Sequence, residues 1–148
     1  MRIKHTVLIL SLIGFASFAA IFLNPEYTKA VPPKINLVPS DYNTEMTWEK
    51  AQKLDKPIVV NFYVDWCHYC KGFAPILDKL RQQYSSKYSF VFVNCEDPKN
   101  KMLEKNFNIQ VYPSLFLVDK NKNKKIHIDN SKYENIKLLK QELDKFIQ

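Results

Sequence analysis

Hydrophobic residues recur along this chain at two spacings, one typical of strands and one typical of helices. The run I-V-V-N-F-Y-V, from Ile58 to Val64, is apolar or aromatic at nearly every position, as in a strand buried on both faces of a sheet. Shorter runs predict strands at Ser89–Asn94, Ser114–Val118 and Lys125–Asp129. The last two are joined by the polar segment D-K-N-K-N-K, which predicts a hairpin turn.

Apolar residues spaced three and four positions apart predict helices between and after these strands. A short helix is expected near W-E-K-A-Q-K-L, with Thr44 or Thr47 as its N-cap, and another over Pro98–Asn106. Two longer stripes consist of Phe73, Ile76, Leu77, Leu80 and Tyr84, and of Ile136, Leu139, Leu143 and Phe146. The alternation of strands and helices predicts an α/β domain whose sheet is covered by helices on both faces.

The first thirty residues follow a different pattern. The basic stretch R-I-K-H precedes an uncharged apolar run from Val7 to Leu23, and small residues at Thr28 and Ala30 follow. Residues 1–30 therefore predict a signal peptide cleaved after Ala30, with an uncleaved membrane anchor through residues 7–23 as the alternative. Both predict an exported domain, in the periplasm or another extracytoplasmic compartment and in the second case attached to the cytoplasmic membrane.

The remainder divides into a lead-in and one domain. Residues 31–43 hold three prolines and predict an extended lead-in, with a short strand at Ile35–Val38. Residues 44–148 have the length of one domain. The composition, 46% hydrophobic and 25% charged, is that of a folded chain. The net charge of +7 lies partly in the first thirty residues, and no basic cluster predicts a nucleic-acid partner.

Two cysteines lie three positions apart in D-W-C-H-Y-C-K, between a predicted strand and a predicted helix. A structural disulfide is one explanation, but a bridge between Cys67 and Cys70 closes a very short loop and stabilises little. A redox-active disulfide explains the spacing better, because two close thiols exchange without moving the fold. At a helix N-terminus Cys67 is expected to be partly thiolate and to attack, while the more buried Cys70 resolves the mixed disulfide. Trp66 would shield the pair and offer partners an apolar surface.

Metal and haem sites fit this motif poorly. A zinc site needs four ligands, and beyond the pair the chain offers Cys95 and isolated histidines. A c-type haem requires histidine directly after the second cysteine, where Lys71 stands. No metal and no cofactor other than the Cys67–Cys70 disulfide is predicted. Cys95, at the end of a predicted strand, is expected to be a buried, inert thiol, with a regulatory or intermolecular disulfide as the alternative.

Several of these features together resemble the thioredoxin family over about residues 44–148. The resemblance rests on W-C-x-x-C-K after a buried strand, on C-K-G-F-A-P-I-L-D-K-L with Pro75 in the helix, and on V-Y-P-S with Pro113. The segment K-P-I-V-V-N-F-Y-V-D-W-C is similar to exported thioredoxin-like domains of the thiol:disulfide interchange type. The resemblance implies a thioredoxin fold, a central mixed sheet flanked by helices. It also implies a cis Pro113 against the disulfide and a Tyr112 backbone that pairs with an extended substrate.

The sequence departs from the family pattern on the sheet side of the motif. Asn61 stands where the family usually has a buried aspartate that helps to take the proton from the resolving thiol. An amide cannot act as that base. Water or another carboxylate, such as Asp65 or Glu96, would have to replace it, or exchange would be slower.

A second departure lies between the cysteines, where His68-Tyr69 replaces the Gly-Pro of thioredoxin. A charged imidazole beside Cys67 would stabilise the thiolate and make the pair more oxidising. With Lys71 and Asn61, these residues are expected to tune the redox reaction. The predicted reduction potential is less negative than the roughly −270 mV typical of thioredoxin.

These features predict a thiol–disulfide oxidoreductase that acts on thiols and disulfides of exported proteins. A separate membrane electron donor or acceptor would then recharge it. One alternative is a dedicated reductase of cytochrome c maturation. Another is a non-catalytic peptide-binding module that uses the groove around Trp66 and Pro113 with the disulfide permanently closed.

Overall fold

A computed structural model describes residues 37–148. The predicted signal peptide or anchor and residues 31–36 of the lead-in lie outside this range. The helices span Trp48–Gln52 (α1), His68–Tyr84 (α2), Lys101–Asn106 (α3) and Ile136–Phe146 (α4), and the strands span Ile58–Tyr63 (β1), Ser89–Asn94 (β2), Ser114–Asp119 (β3) and Lys124–Ile128 (β4). Short 3₁₀ helices cover Pro39–Tyr42, Pro98–Asn100 and Asn130–Lys132. The strands expected from the hydrophobic pattern are confirmed to within one residue.

Within residues 37–148 the strands form one mixed sheet in the order β2-β1-β3-β4. β1 and β2 run parallel and are joined by a crossover through α2, while β1 pairs antiparallel with β3, and β3 with β4. All six residues of β1 are buried, so this strand is covered on both faces. The carboxyl end of this central strand leads directly into the cysteine motif.

The two faces of the sheet have different neighbours. Phe62 packs against Phe107 and Phe116, with ring centroids 4.9 and 6.0 Å away, and Phe107 in turn contacts Trp48 of α1. Because side chains alternate along a strand, Asn61 points to the opposite face from Phe62. The apolar stripe of α4 is buried at Leu139, Leu143 and Phe146, as the sequence predicted.

The lead-in differs from its prediction. Leu37 and Val38, the described part of the expected strand, belong to no strand, and a 3₁₀ helix follows at Pro39–Tyr42. Local hydrogen bonding explains the change, since the side chain of Asp41 accepts the backbone N–H of Val38 at 2.9 Å. The lead-in therefore forms a 3₁₀ helix at Pro39–Tyr42 instead of an extended segment. In the next element, Thr47 and not Thr44 caps α1.

No helix within residues 37–148 is long and apolar enough to cross a membrane. The apolar run at residues 7–23 lies outside the described residues, so the predicted export or anchoring remains a prediction.

Candidate redox site

Cys67 is the N-cap of α2, at the junction of strand and helix that the sequence predicted. β1 ends at Tyr63, and the N–H of Cys67 donates to the carbonyl oxygen of Val64 at 3.3 Å, which closes the turn. The Cys67 sulfur then accepts the N–H of Cys70 at 3.2 Å. A helix N-terminus leaves such N–H groups without partners in the helix, so this sulfur lies where negative charge is stabilised.

The cis-proline segment lies on the other side of the Cys67 sulfur. The peptide bond between Tyr112 and Pro113 is cis, as the resemblance to the thioredoxin family implied. The thiol of Cys67 donates to the carbonyl oxygen of Tyr112 at 3.6 Å. Pro113 is itself buried. The fold thus brings together a helix start and a strand start that lie 45 residues apart.

The two motif cysteines have different surroundings. Both are free thiols, and Cys67 keeps 7% of its surface exposed while Cys70 keeps 1%. Burial, reinforced by the neighbouring Cys67 thiol, raises the pKa of Cys70 to about 12. Cys70 therefore holds its proton at neutral pH, and Cys67 is the thiol placed to react first.

The side chains predicted to flank or tune the pair are largely exposed. Trp66 and Tyr69 keep 71% and 73% of their surface, which suits Trp66 to contact with a partner. His68 is also exposed, with its ring 5.9 Å from the ring of Tyr69. The Lys71 side chain faces solvent, and its backbone N–H donates to the carbonyl oxygen of Cys67 at 3.1 Å. Redox tuning by His68, Tyr69 and Lys71 remains a prediction.

Asn61, which stands where the family usually has an aspartate, and the two carboxylates expected to replace that aspartate have different surroundings. Asn61 is 2% exposed, and its Oδ1 accepts no hydrogen bond within the described residues. Both oxygens of Asp65 accept hydrogen bonds from Ser40, and Glu96 accepts the backbone N–H of Asp65 at 2.7 Å. Both carboxylates expected as replacement bases therefore already accept hydrogen bonds, Asp65 from Ser40 and Glu96 from the backbone of Asp65. Ser40, 25 residues from Asp65, gave no local sequence signal of this contact.

Cys95 lies at the end of β2 and is 1% exposed, so its predicted burial is confirmed. Burial and the carboxylate of Glu104 raise the pKa of its thiol to about 11. The hydroxyl of Tyr112 donates to the same Glu104. Across residues 37–148 no group of three or more histidine, cysteine, aspartate or glutamate side chains is arranged to hold a metal ion.

An open cleft of about 780 Å³ lies beside the motif. Its walls come from the first turns of α2, the cis-proline segment and the 3₁₀ turn after β4, and are formed by His68, Tyr69, Gly72, Phe73, Ile76, Tyr112, Pro113, Asn130, Ser131, Tyr133 and Glu134. Tyr133 stacks on Phe73 at 4.4 Å between ring centroids. Sequence reasoning missed Tyr133, because nothing in its local pattern separates a cleft tyrosine from a core one.

Comparison with known proteins agrees with this geometry. The sequence model of the Thioredoxin family matches residues 37–145. The chain belongs to the thioredoxin family. Thioredoxin-family homologues are thiol–disulfide oxidoreductases, and the fold, a mixed sheet flanked by helices, is the thioredoxin fold.

Among thioredoxin relatives, the chain is 35% identical over 78 residues to the chloroplastic thioredoxin-like protein HCF164 of Arabidopsis thaliana. This alignment covers 53% of the chain and 30% of HCF164. The chain is 39% identical over 89 residues to mitochondrial thioredoxin-2 of Schizosaccharomyces pombe, and this second alignment covers 59% of the chain and 60% of that protein. The chain thus spans less than two thirds of the length of either relative.

Solved thioredoxin structures match to a similar extent. Thioredoxin f2 of Chlamydomonas reinhardtii superposes with a TM-score of 0.52 at 31% identity, over 65% of this chain and 83% of that one. A crystal structure of a ferredoxin:thioredoxin reductase and thioredoxin f2 complex matches with a TM-score of 0.55 at 25% identity, over 69% and 91% of the two chains.

Proposed function

We propose that this chain is an extracytoplasmic thiol–disulfide oxidoreductase that exchanges disulfides with exported proteins through Cys67 and Cys70. The observation that supports it most directly is the environment of the Cys67 sulfur. It caps a helix, accepts the Cys70 N–H at 3.2 Å and lies 3.6 Å from the carbonyl oxygen of Tyr112, next to the cis Pro113.

The reaction in the reducing direction follows from the different surroundings of the thiols. The Cys67 thiolate attacks one sulfur of a substrate disulfide, whose S–S bond breaks and whose other sulfur leaves as a thiolate. Cys70 then loses its proton and attacks the Cys67 sulfur, which releases the second substrate sulfur. Two electrons pass to the substrate and the Cys67–Cys70 disulfide remains, without any other cofactor. The oxidising direction reverses these steps.

Deprotonation of Cys70 is the demanding step. Burial raises the pKa of the Cys70 thiol, so it needs a proton acceptor at neutral pH, and Asn61 is an amide. Water entering from the open cleft is the acceptor we assign, because Ser40 occupies both oxygens of Asp65.

Location and partners form a second part of the proposal. The basic and apolar pattern of residues 1–30 supports export or membrane attachment. A folded domain of this kind that acts as a reductase outside the cytoplasm needs a membrane electron donor, because each turnover leaves the disulfide closed. As an oxidase it would need an acceptor instead.

A trapping experiment tests the proposal. Replacing Cys70 with alanine removes the resolving thiol, so substrates are expected to accumulate on Cys67 as mixed disulfides. Non-reducing gel electrophoresis and mass spectrometry of the exported protein would identify them and show the direction of electron flow. The matched control is the same variant with Cys67→Ser.

Reduction of insulin by dithiothreitol gives an independent measurement. We expect the wild-type chain to accelerate it and Cys67→Ser to abolish the acceleration. An unchanged rate in Cys67→Ser would contradict catalysis. It would favour instead a binding module that uses the cleft without its thiols.

A further inference from the structure

Ser40 holds the Asp65 side chain with two hydrogen bonds. Its backbone N–H donates to Oδ1 at 2.9 Å and its hydroxyl donates to Oδ2 at 2.6 Å, so both carboxylate oxygens are bound by one residue. Ser40 lies in the 3₁₀ helix of the lead-in, and Asp65 lies in the turn between β1 and α2. The lead-in is therefore attached to the turn that carries the reactive cysteine.

Neighbouring groups complete a small network around this contact. The Ser40 hydroxyl lies 3.2 Å from the hydroxyl of Tyr63 and accepts a hydrogen bond from Nδ2 of Asn94 at 3.3 Å. On the other side of Asp65, its backbone N–H donates to Oε2 of Glu96 at 2.7 Å. Asp65 is thus fixed through both its side chain and its backbone, two residues before Cys67.

The position of the Asp65 side chain matters for the turn. Hydrogen bonds to an ionised carboxylate are stronger than those between neutral groups. The two bonds from Ser40 therefore fix Asp65, and with it the turn that leads into Cys67. The ionisable groups around this cluster are Tyr63, Glu96 and Cys95, and within residues 37–148 none of their side chains donates a hydrogen bond to Asp65. Ser40 supplies both donors.

We propose that Ser40 is a positioning residue for Cys67 that acts through Asp65. It fixes the turn that presents Cys67 at the start of α2. This inference rests on Cys67 being the attacking thiol of the proposed oxidoreductase. It adds the lead-in, outside the motif and its sheet, to the parts of the chain that set thiol reactivity.

The test measures the reactivity of the Cys67 thiol directly. The full, reduced chain is reacted with iodoacetamide at pH 7, and the Cys67 adduct is followed by peptide mass spectrometry. Ser40→Ala removes the hydroxyl bond to Oδ2 and keeps the backbone N–H bond to Oδ1. We expect it to slow alkylation of Cys67 roughly two- to tenfold, because a less firmly held turn weakens the contact of the sulfur with the helix N-terminus. Ser40→Thr keeps the hydroxyl and is expected to retain the wild-type rate.

A double substitution separates positioning from general loosening of the fold. In an Asp65→Asn chain, which lacks the carboxylate that accepts the Ser40 hydroxyl, Ser40→Ala is expected to cause no further slowing. The matched control is Thr44→Ala, which removes a nearby hydroxyl that accepts only the N–H of Met46, at 3.3 Å, and is expected to leave the rate unchanged. Equal slowing with and without Asp65→Asn, or a wild-type rate in Ser40→Ala, overturns the proposal.

The result is independent of substrate. Alkylation needs no disulfide partner, so the expected Ser40 pattern supports the positioning role even in a chain that fails to reduce insulin. Failure with insulin alone counts against the proposed function. Failure of the Ser40 pattern alone counts against the positioning role.

Discussion

The hydroxyl of Tyr133 bridges the backbones of Leu115 and Ile128, two residues paired across β3 and β4. It accepts the N–H of Leu115 at 2.7 Å and donates to the carbonyl oxygen of Ile128 at 3.1 Å. One side chain therefore completes the strand pairing next to the cis-proline segment and also lines the cleft beside the cysteines. Tyr133 therefore contributes both to the stability of the fold and to the shape of the cleft.

Replacing Tyr133 with phenylalanine is expected to lower the free energy of unfolding by about 1–3 kcal/mol, because it leaves buried backbone groups of Leu115 and Ile128 without partners. Urea unfolding measures the change. Tyr69→Phe is the control, since the side chain of Tyr69 is exposed and its hydroxyl has no hydrogen-bond partner among residues 37–148. This variant should stay within about 0.5 kcal/mol of wild type. Equal stability of the two variants would contradict the bridging role.

The three cysteines should differ in reactivity in the folded, reduced protein. At pH 8, iodoacetamide is expected to label Cys67 first, because burial raises the pKa of Cys70 to about 12 and that of Cys95 to about 11. Peptide mass spectrometry at short times measures the order, with urea-unfolded protein as the control in which all three react alike. Early labelling of Cys95 in the folded chain would contradict its assignment as an inert thiol.

Stability of the reduced protein should fall as the solution becomes alkaline. Cys70 and Cys95 have folded pKa values raised above their ordinary value of 9.0, so the folded state binds their protons more tightly than the unfolded state. Their contribution is fully present below pH 9 and is lost as pH rises, for Cys95 towards 11 and for Cys70 towards 12. Urea unfolding at pH 8, 9 and 10 measures it, and Cys70→Ala should weaken the dependence. A flat profile for the reduced wild type would exclude this linkage.

Asn61→Asp should accelerate release of substrate from the Cys67 mixed disulfide, since a carboxylate on this part of β1 supplies the proton acceptor that the amide lacks. Burial would raise the pKa of the new carboxyl, so the gain should increase with pH and the fold should be less stable at neutral pH. Insulin reduction and urea unfolding measure the two effects. Asn61→Leu, with a similar volume and no carboxyl, is the control, and a similar gain in it would point to packing instead.

The dipeptide between the cysteines can be tested through the reduction potential. Equilibration with glutathione is expected to give a value less negative than about −270 mV. His68→Gln should make the potential more negative by on the order of 10 mV, because His68 is exposed and solvent screens its electrostatic interaction with Cys67. Tyr69→Phe is the matched substitution at the other residue between the two cysteines. A wild-type value at or below that of thioredoxin would refute the predicted oxidising tendency.

The fold was largely predictable because its strands and helices carry strong local patterns. β1 is an unbroken apolar run between polar segments, and the stripe of α4 repeats at helical spacing. The choice between Thr44 and Thr47 as the cap of α1 was not predictable, since both residue types cap helices and only the path of the chain decides.

The site was predictable where its residues are close in sequence and not where they are brought together by the fold. Cys67 and Cys70 share a motif, and Pro113 follows a family pattern. Ser40 and Tyr133 act through hydrogen bonds to distant residues, and their sequence neighbourhoods carry no sign of those partners. The 3₁₀ helix at residues 39–42 brings Ser40 to Asp65, and an extended lead-in, as predicted, gave no reason to expect that contact.

The contact between Cys67 and Tyr112 links ionisation of the thiol to the predicted docking of substrate. The carbonyl oxygen of Tyr112 accepts a hydrogen bond from the Cys67 thiol, but a thiolate has no proton to donate. Ionisation of Cys67 therefore frees a backbone acceptor at the same moment that it creates the nucleophile. In the proposed reaction, the charge state that attacks a substrate disulfide is therefore also the one that leaves this carbonyl oxygen open to the backbone N–H of an incoming chain.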